Sequence, residues 1–151
     1  MNRSKLSLIA AALLSLGATS AFAAGDDTIK ARQECMKVQG KTVFGMFFPI
    51  MKGEKPYDAA AIKAGMGAMG AACADWANYW TEDSKTSTTM KTKVKPEIWS
   101  DKAGFEAAGN ASYQAMTALG GAADEASFKA ALPAVGKGCQ GCHEKFRLPM
   151  E

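Results

Sequence analysis

Histidine occurs once in the 151 residues, at position 143. That scarcity excludes a metal held between two imidazoles of the same chain. No stretch alternates β-branched with polar residues, so a sheet is not expected. There is no basic stripe, and the formal charge is only +3, so nucleic acid is not an expected partner. Internal repeats and low-complexity tracts are absent. No constellation of acid, base and nucleophile accompanies the single histidine, so no catalytic residues are assigned and an enzyme is not expected. Only one long apolar run exists, and it lies at the N-terminus.

That run defines a leader. Arg3 and Lys5 precede an apolar stretch from Leu6 to Gly17, and Ala21-Phe22-Ala23 supplies a small-x-small cleavage site. Residues 1–23 therefore read as a cleaved secretory signal peptide. The apolar run is too short to span a bilayer comfortably. The mature chain, 24–151, is expected to be one exported domain in the periplasm of a Gram-negative bacterium, with no membrane insertion after cleavage.

What is present is concentrated near the C-terminus. Cys139-Gln140-Gly141-Cys142-His143 is the spacing that attaches a c-type haem. Two thiols three residues apart form thioethers with the two vinyl groups of one porphyrin, and the adjoining imidazole binds the iron. One covalently bound haem c per chain is expected, held by Cys139 and Cys142 with His143 as the proximal iron ligand. A four-cysteine or Cys3His zinc site would make the Cys-x-x-Cys-His order a coincidence. A thiol oxidoreductase would place its Cys-x-x-Cys at the start of a helix in a βαβ unit. Without Arg3 and Lys5 the polypeptide carries about +1, and two haem propionates bring it slightly below zero.

The 3.6-residue period gives four helices. The first runs from about Asp27 to Phe48, with Ile29, Met36, Val43 and Ile50 every seven residues. The second starts on Asp58 as N-cap and runs to about Trp80 along Ile62, Met66, Met69, Cys73, Trp76 and Trp80. Thr81 to Pro96 has no apolar period and reads as a long crossover. The third helix runs from near Ser100 to Leu119, with Phe105, Ala108, Ser112, Ala115 and Leu119 inward. The fourth runs from near Asp124 to about Arg147 along Phe128, Leu132, Val135, Cys139, Cys142 and Phe146, and Pro133 should kink it or split off its first turn. The expected fold is all-α: an antiparallel up-down-up-down four-helix bundle with one covalently bound haem.

With no second histidine, methionine is the candidate for the other face of the iron. In such a bundle the start of the first helix lies beside the end of the fourth, which brings Met36 to the level of His143. Gly40, one turn on, would let a flat macrocycle approach the backbone. Met46, Met51, Met66 and Met69 lie towards the far end, whereas Met90 in the crossover is a rival. Met36 is equally readable as a core filler. Cys35 and Cys73 are equidistant from the turn near residue 54, so they face each other across the hairpin, as a disulfide or as two buried thiols.

These residues resemble the class II c-type cytochromes, the cytochrome c′ family, over the whole mature length. The likeness rests on the C-terminal Cys139-x-x-Cys142-His143 with Phe146-Arg147 and on Lys30-Ala31-Arg32-Gln33-x-x-Met36. It is supported by the stretches Lys52 to Asp58 and Lys95 to Trp99. The resemblance implies a bundle with His143 proximal, and two branches. In one, the iron is five-coordinate and high-spin, Met36 covers the vacant face, small gases such as nitric oxide bind, Arg32 lies near a haem propionate and Arg147 near the proximal histidine. In the other, Met36 binds a low-spin iron and the protein is a one-electron carrier between redox partner proteins. Thioether chemistry and the long polar crossover favour the second branch as the expectation. The chain is expected to be a monomer or a homodimer.

Overall fold

The computed structural model describes residues 16–149, with side chains from residue 25 onward. Most of residues 1–23, expected from sequence to be a leader, lie outside the described residues. The described part is helical, and its one extended pairing is the isolated bridge between Val94 and Arg147.

The first helix, α1 (Leu16–Thr42), continues through a wider π-helical turn (Val43–Phe47) into α2 (Phe48–Met51). Thr42, Phe47 and Phe48 all keep right-handed helical angles, so the axis is not broken. Pro49 lies within this continuous helix, where its missing N–H withholds a donor from the preceding turn, and Lys55 Nζ donates to the Gly45 carbonyl there at 2.8 Å. The helix therefore ends three residues later than expected, and Gly53 makes the turn with φ +75. Of the seven-residue seam, Ile29, Val43 and Ile50 are buried, and Met36 is only half-buried.

Asp58 caps α3 (Ala59–Ala72) as anticipated, its carboxylate accepting from Ala60 N and Ala61 N at 2.9 and 3.0 Å. The helix stops eight residues short of Trp80, a correction to the sequence reading. Cys73 leaves helical geometry where it is bonded to Cys35, and the Tyr79 hydroxyl takes the orphan Ala72 carbonyl at 3.1 Å. A short 3-10 turn (Trp76–Asn78) then swings Trp76 and Trp80 away from the α3 seam.

The crossover is ordered by contacts with α1, through a second 3-10 turn (Glu82–Ser84). It leads into α4 (Glu97–Ser100) and, after Asp101, α5 (Lys102–Gly120). The last helix, α6 (Glu125–Phe146), opens on a reciprocal Asp124–Ser127 capping box. Pro133 does not interrupt it: Leu132 and Val135, on either side, are buried, and their packing outweighs the lost backbone bond. α1 packs on α3, and α5 on α6, giving the four long helices of the bundle.

The core is in two parts. One cluster joins Val43, Phe47, Ile50, Ile62, Met69, Leu119, Phe128, Leu132 and Val135. Its larger members each stabilise the fold by roughly 2–3 kcal/mol. The other joins Ile98, Phe105 and Phe146 with Trp76, Trp80 and Trp99 packed on them.

Candidate haem site

Helical periodicity puts Cys139 and Cys142 on one face of α6, with His143 next to them. Cys139 packs against the first core cluster and Cys142 against the second, so the thiols sit at the junction of the two. They are the free cysteines among the described residues. Burial raises the pKa of both, and Cys139 adds to the rise at Cys142. Burial, and then the neighbouring Arg147 charge, push the His143 imidazole below its ordinary value. It is therefore neutral near pH 7 and has a ring nitrogen lone pair available to a metal.

The end of α6 is held by the crossover. Lys95 N donates to Phe146 O at 3.0 Å, Leu148 N to Lys93 O at 2.8 Å, and Lys95 Nζ to Glu144 O at 2.8 Å. The two bonds from Lys95 satisfy the Phe146 and Glu144 carbonyls that the helix end leaves unpaired. A cavity of about 370 Å3 beside His143 is bounded by Lys95, Gln140, Glu144, Arg147 and Leu148.

On α1, Met36 occupies the gap in the buried seam. A Cβ built on Gly40, one turn further, would meet nothing within 4 Å. Met36 is also next to an anchor: Cys35 is fully buried and bonded to Cys73, with Cα atoms 4.9 Å apart. Gln39 Nε2 donates to Cys73 Sγ at 3.1 Å. With Cys35 and Cys73 in a disulfide, neither can join the α6 thiols around zinc. Among the described residues no group of three or more His, Cys, Asp or Glu could hold a metal ion.

Arg32, one turn before Met36, is only 4% exposed. Its guanidinium donates to Tyr79 O (3.0 Å), Ser84 Oγ (3.4 Å), Ser84 O (3.3 Å) and Thr92 Oγ1 (3.0 Å), and lies 5.0 Å over the Trp80 ring. Burial lowers its pKa to about 10. Three of these four bonds commit it to the crossover, and the fourth ties it to Tyr79 just before it. Trp80 in turn meets Phe105 edge-on at 4.7 Å, and Phe105 meets Phe146 at 5.1 Å, in the cluster that Cys142 touches. The Arg32 end of α1 and the thiol face of α6 thus border one aromatic group. The sequence marked Trp76 and Trp80 as apolar but placed them on a helix, and nothing in it marked Ser84 or Thr92.

Among the described residues two buried donors have no acceptor: Trp80 Nε1 and Arg147 Nε. Such groups are costly unless something accepts from them. Two free thiols on one face, a neutral imidazole, an open stretch of α1 and two donors lacking acceptors fit a carboxylate-bearing macrocycle. Cys139, Cys142 and His143 would hold it.

A helical bundle whose last helix carries Cys-x-x-Cys-His near the C-terminus defines a class: c-type cytochromes with a C-terminal haem site. The family model described as Cytochrome C' matches residues 27–147. Cytochrome c' from Alcaligenes xylosoxydans xylosoxydans is 34% identical over 130 residues, 83% of this chain and 97% of that one. Cytochrome c-556 from Rhodopseudomonas palustris is 33% identical over 131 residues, 85% of this chain and 87% of that one. Among solved structures, cytochrome c' from Rhodobacter Spheriodes aligns with a TM-score of 0.73 at 31% identity, covering 83% of this chain and 98% of that one. A nitric oxide complex of a point mutant of cytochrome c prime from Alcaligenes xylosoxidans aligns with a TM-score of 0.70 at 30% identity, covering 83% and 97%. The chain belongs to the cytochrome c′ family, four-helix bundles that bind one covalent haem c per chain. No helix among the described residues is long and apolar enough to cross a membrane.

Proposed function

We propose that this chain is an exported, periplasmic monohaem cytochrome of the gas-binding kind. Cys139 and Cys142 carry the haem, and His143 supplies the proximal nitrogen. The Met36 side chain covers the other face without binding iron. When bound, the group supplies a one-electron Fe(III)/Fe(II) couple and a metal coordination site open to a small gas such as nitric oxide. The chain's own residues hold the neutral imidazole in place and fix the helix opposite. The observation that carries this reading is the whole-length likeness to cytochromes c', one of them solved as a nitric oxide complex. It reverses the preference drawn from sequence. One reason for that preference was the polar crossover, and its hydroxyls and carbonyls have another use here, surrounding Arg32.

A low-spin electron carrier with Met36 Sδ on the iron is the second reading. It is favoured by the rigidity of the Met36 turn, anchored at Cys35 and Arg32, and by the similarity to a cytochrome c-556. The optical spectrum of the oxidised protein decides between them. The first reading expects a high-spin spectrum, unchanged in type in Met36→Ala, with faster uptake of carbon monoxide by the reduced variant. A low-spin spectrum with a far-red sulfur-to-iron band that Met36→Ala abolishes would overturn it.

A further inference from the structure

A second groove, of about 760 Å3, runs between the crossover and the segment after α6. It shares Leu148 and Pro149 with the cavity beside His143. Its floor is apolar, with Met90, Val94, Leu148 and Pro149, and Leu148 is 44% exposed. Its charged lining is of one sign: Lys85, Lys91 and Lys93. Lys95 and Arg147 stand beside it, in the cavity it adjoins.

These cations are poorly neutralised. Lys85 pairs with Glu82 at 2.5 Å. Lys93 Nζ and Lys95 Nζ donate hydrogen bonds to the Pro149 and Glu144 backbone carbonyls, which carry no charge. Among the described residues Lys91, Lys93, Lys95 and Arg147 form no ion pair. Two carboxylates lie near this rim and keep their charge, Asp26, which accepts from Thr89 Oγ1, and Glu144, which accepts from Gln140 Nε2 at 2.6 Å, against the four cations Lys91, Lys93, Lys95 and Arg147. A partly exposed apolar floor whose rim carries more unpaired cations than carboxylates is the anatomy of a transient protein interface.

The groove is also wired to the site. The Arg147 amide donates to the His143 carbonyl at 3.1 Å, and the next amide, Leu148 N, donates to Lys93 O at 2.8 Å. Two hydrogen bonds and one peptide link therefore join the proximal residue to the groove's basic rim. A partner seated there would be on the His143 side of the protein, close to the redox-active group.

We infer that this groove is the docking surface for an acidic redox-partner protein, one that presents carboxylates around an apolar centre. The inference rests on the reading of the chain as a redox-active monohaem cytochrome, with either coordination of the iron. The partner's carboxylates would meet Lys91, Lys93 and Lys95, and its apolar centre would cover Leu148. Because these charges are exposed, they would act chiefly on the encounter rate and would be screened by salt.

Two measurements on the haem-loaded mature protein test this. The first maps binding by NMR with hexacyanochromate(III), a paramagnetic trianion that does not exchange electrons here. Amide broadening centred on residues 85–95 and 146–149 is expected. Broadening spread over all exposed lysines, or centred on Lys63 of α3, would overturn the proposal. The second is stopped-flow oxidation of the reduced protein by hexacyanoferrate(III). Lys91→Glu should slow it roughly tenfold at low ionic strength and little at high salt. Lys63→Glu makes the same change in net charge and should have a much smaller effect. Equal slowing in the two variants would refute docking while leaving the redox reading intact. If the wild type exchanges electrons with neither hexacyanoferrate(III) nor a cationic cobalt(III) complex, the redox reading fails and takes this proposal with it. Co-sedimentation with phosphatidylglycerol vesicles that Lys91→Glu abolishes would assign the groove to a lipid surface and overturn it too.

Discussion

The Cys35–Cys73 disulfide gives the sharpest quantitative prediction. It closes a loop with a sequence separation of 38 and ties the middle of α1 to the end of α3. For a loop of that size the chain-entropy relation gives about 4 kcal/mol at 25 °C. For a domain of this length the unfolding entropy is about 0.26 kcal/mol/K, so the loss corresponds to roughly 12–16 °C in Tm. The perturbation is Cys35→Ala with Cys73→Ala in the haem-loaded protein, read by guanidinium unfolding followed at the haem band. Wild type treated with a phosphine reductant is the control, because it opens the loop without deleting a sulfur. Both should lose about the same stability, the double variant about 1 kcal/mol more for the space left at fully buried Cys35. Titration of the denatured, unreduced protein should find no free thiol. Two reactive thiols before reduction, or a reduced protein within about 1 kcal/mol of the oxidised one, would refute the reasoning.

Other outcomes follow from single contacts. Arg32→Ala should cost about 3 kcal/mol by orphaning the Ser84 carbonyl and leaving the Tyr79 carbonyl only the 3.4 Å bond from Ser84 Oγ, and Arg32→Lys should recover little, since one ammonium cannot reach all four acceptors. Amide hydrogen exchange over residues 84–92 would report it, and unchanged protection would contradict the clamp. Gly25→Ala would drive a Cβ into the Asp83 backbone carbonyl, so a loss of roughly 1–3 kcal/mol in chemical denaturation is expected. At the start of α5, hydrogen bonds from Lys145 and then Gly104 N hold the Asp101 carboxyl below its ordinary value. A depressed carboxylate contributes stability above its unfolded pKa, and that contribution is lost as pH falls through the folded value. Asp101→Asn should therefore flatten the acid limb of the stability–pH curve and leave its slope above pH 7 unchanged, as measured by thermal unfolding across pH.

Much of this fold follows from local rules. Asp58 and Asp124 precede apolar periods and cap helices, and the seam Phe128, Leu132, Val135, Phe146 is buried throughout. The hairpin's equal arms bring Cys35 to Cys73. The failures share one cause, which is that distant partners decide them. Trp76 and Trp80 sit at helical spacing, so their departure from α3 is invisible until Phe105 and Phe146, far along the chain, are in place. Arg32 is buried among oxygens 47 to 60 residues away, and no local pattern announces a cation held that way. Met36 falls on a regular seven-residue seam, and only the folded helix reveals that this position is left half-open.

The π turn at Val43–Phe47 carries a consequence for how this chain tolerates changes in length. A π turn holds one residue more than an α-helix needs between the same two flanks. Removing one residue there, such as Gly45, would restore ordinary α geometry and keep Ile29 and Ile50 facing as they do. It would give up the local bond from Lys55 Nζ to the Gly45 carbonyl, 2.8 Å, and the Phe44–Phe48 ring stack at 5.5 Å. Removing Gly40 instead would rotate everything after it by about 100° relative to Cys35 and Arg32. The two shortened chains have the same length and composition. The first should keep its disulfide and a cooperative thermal transition, and the second should lose both.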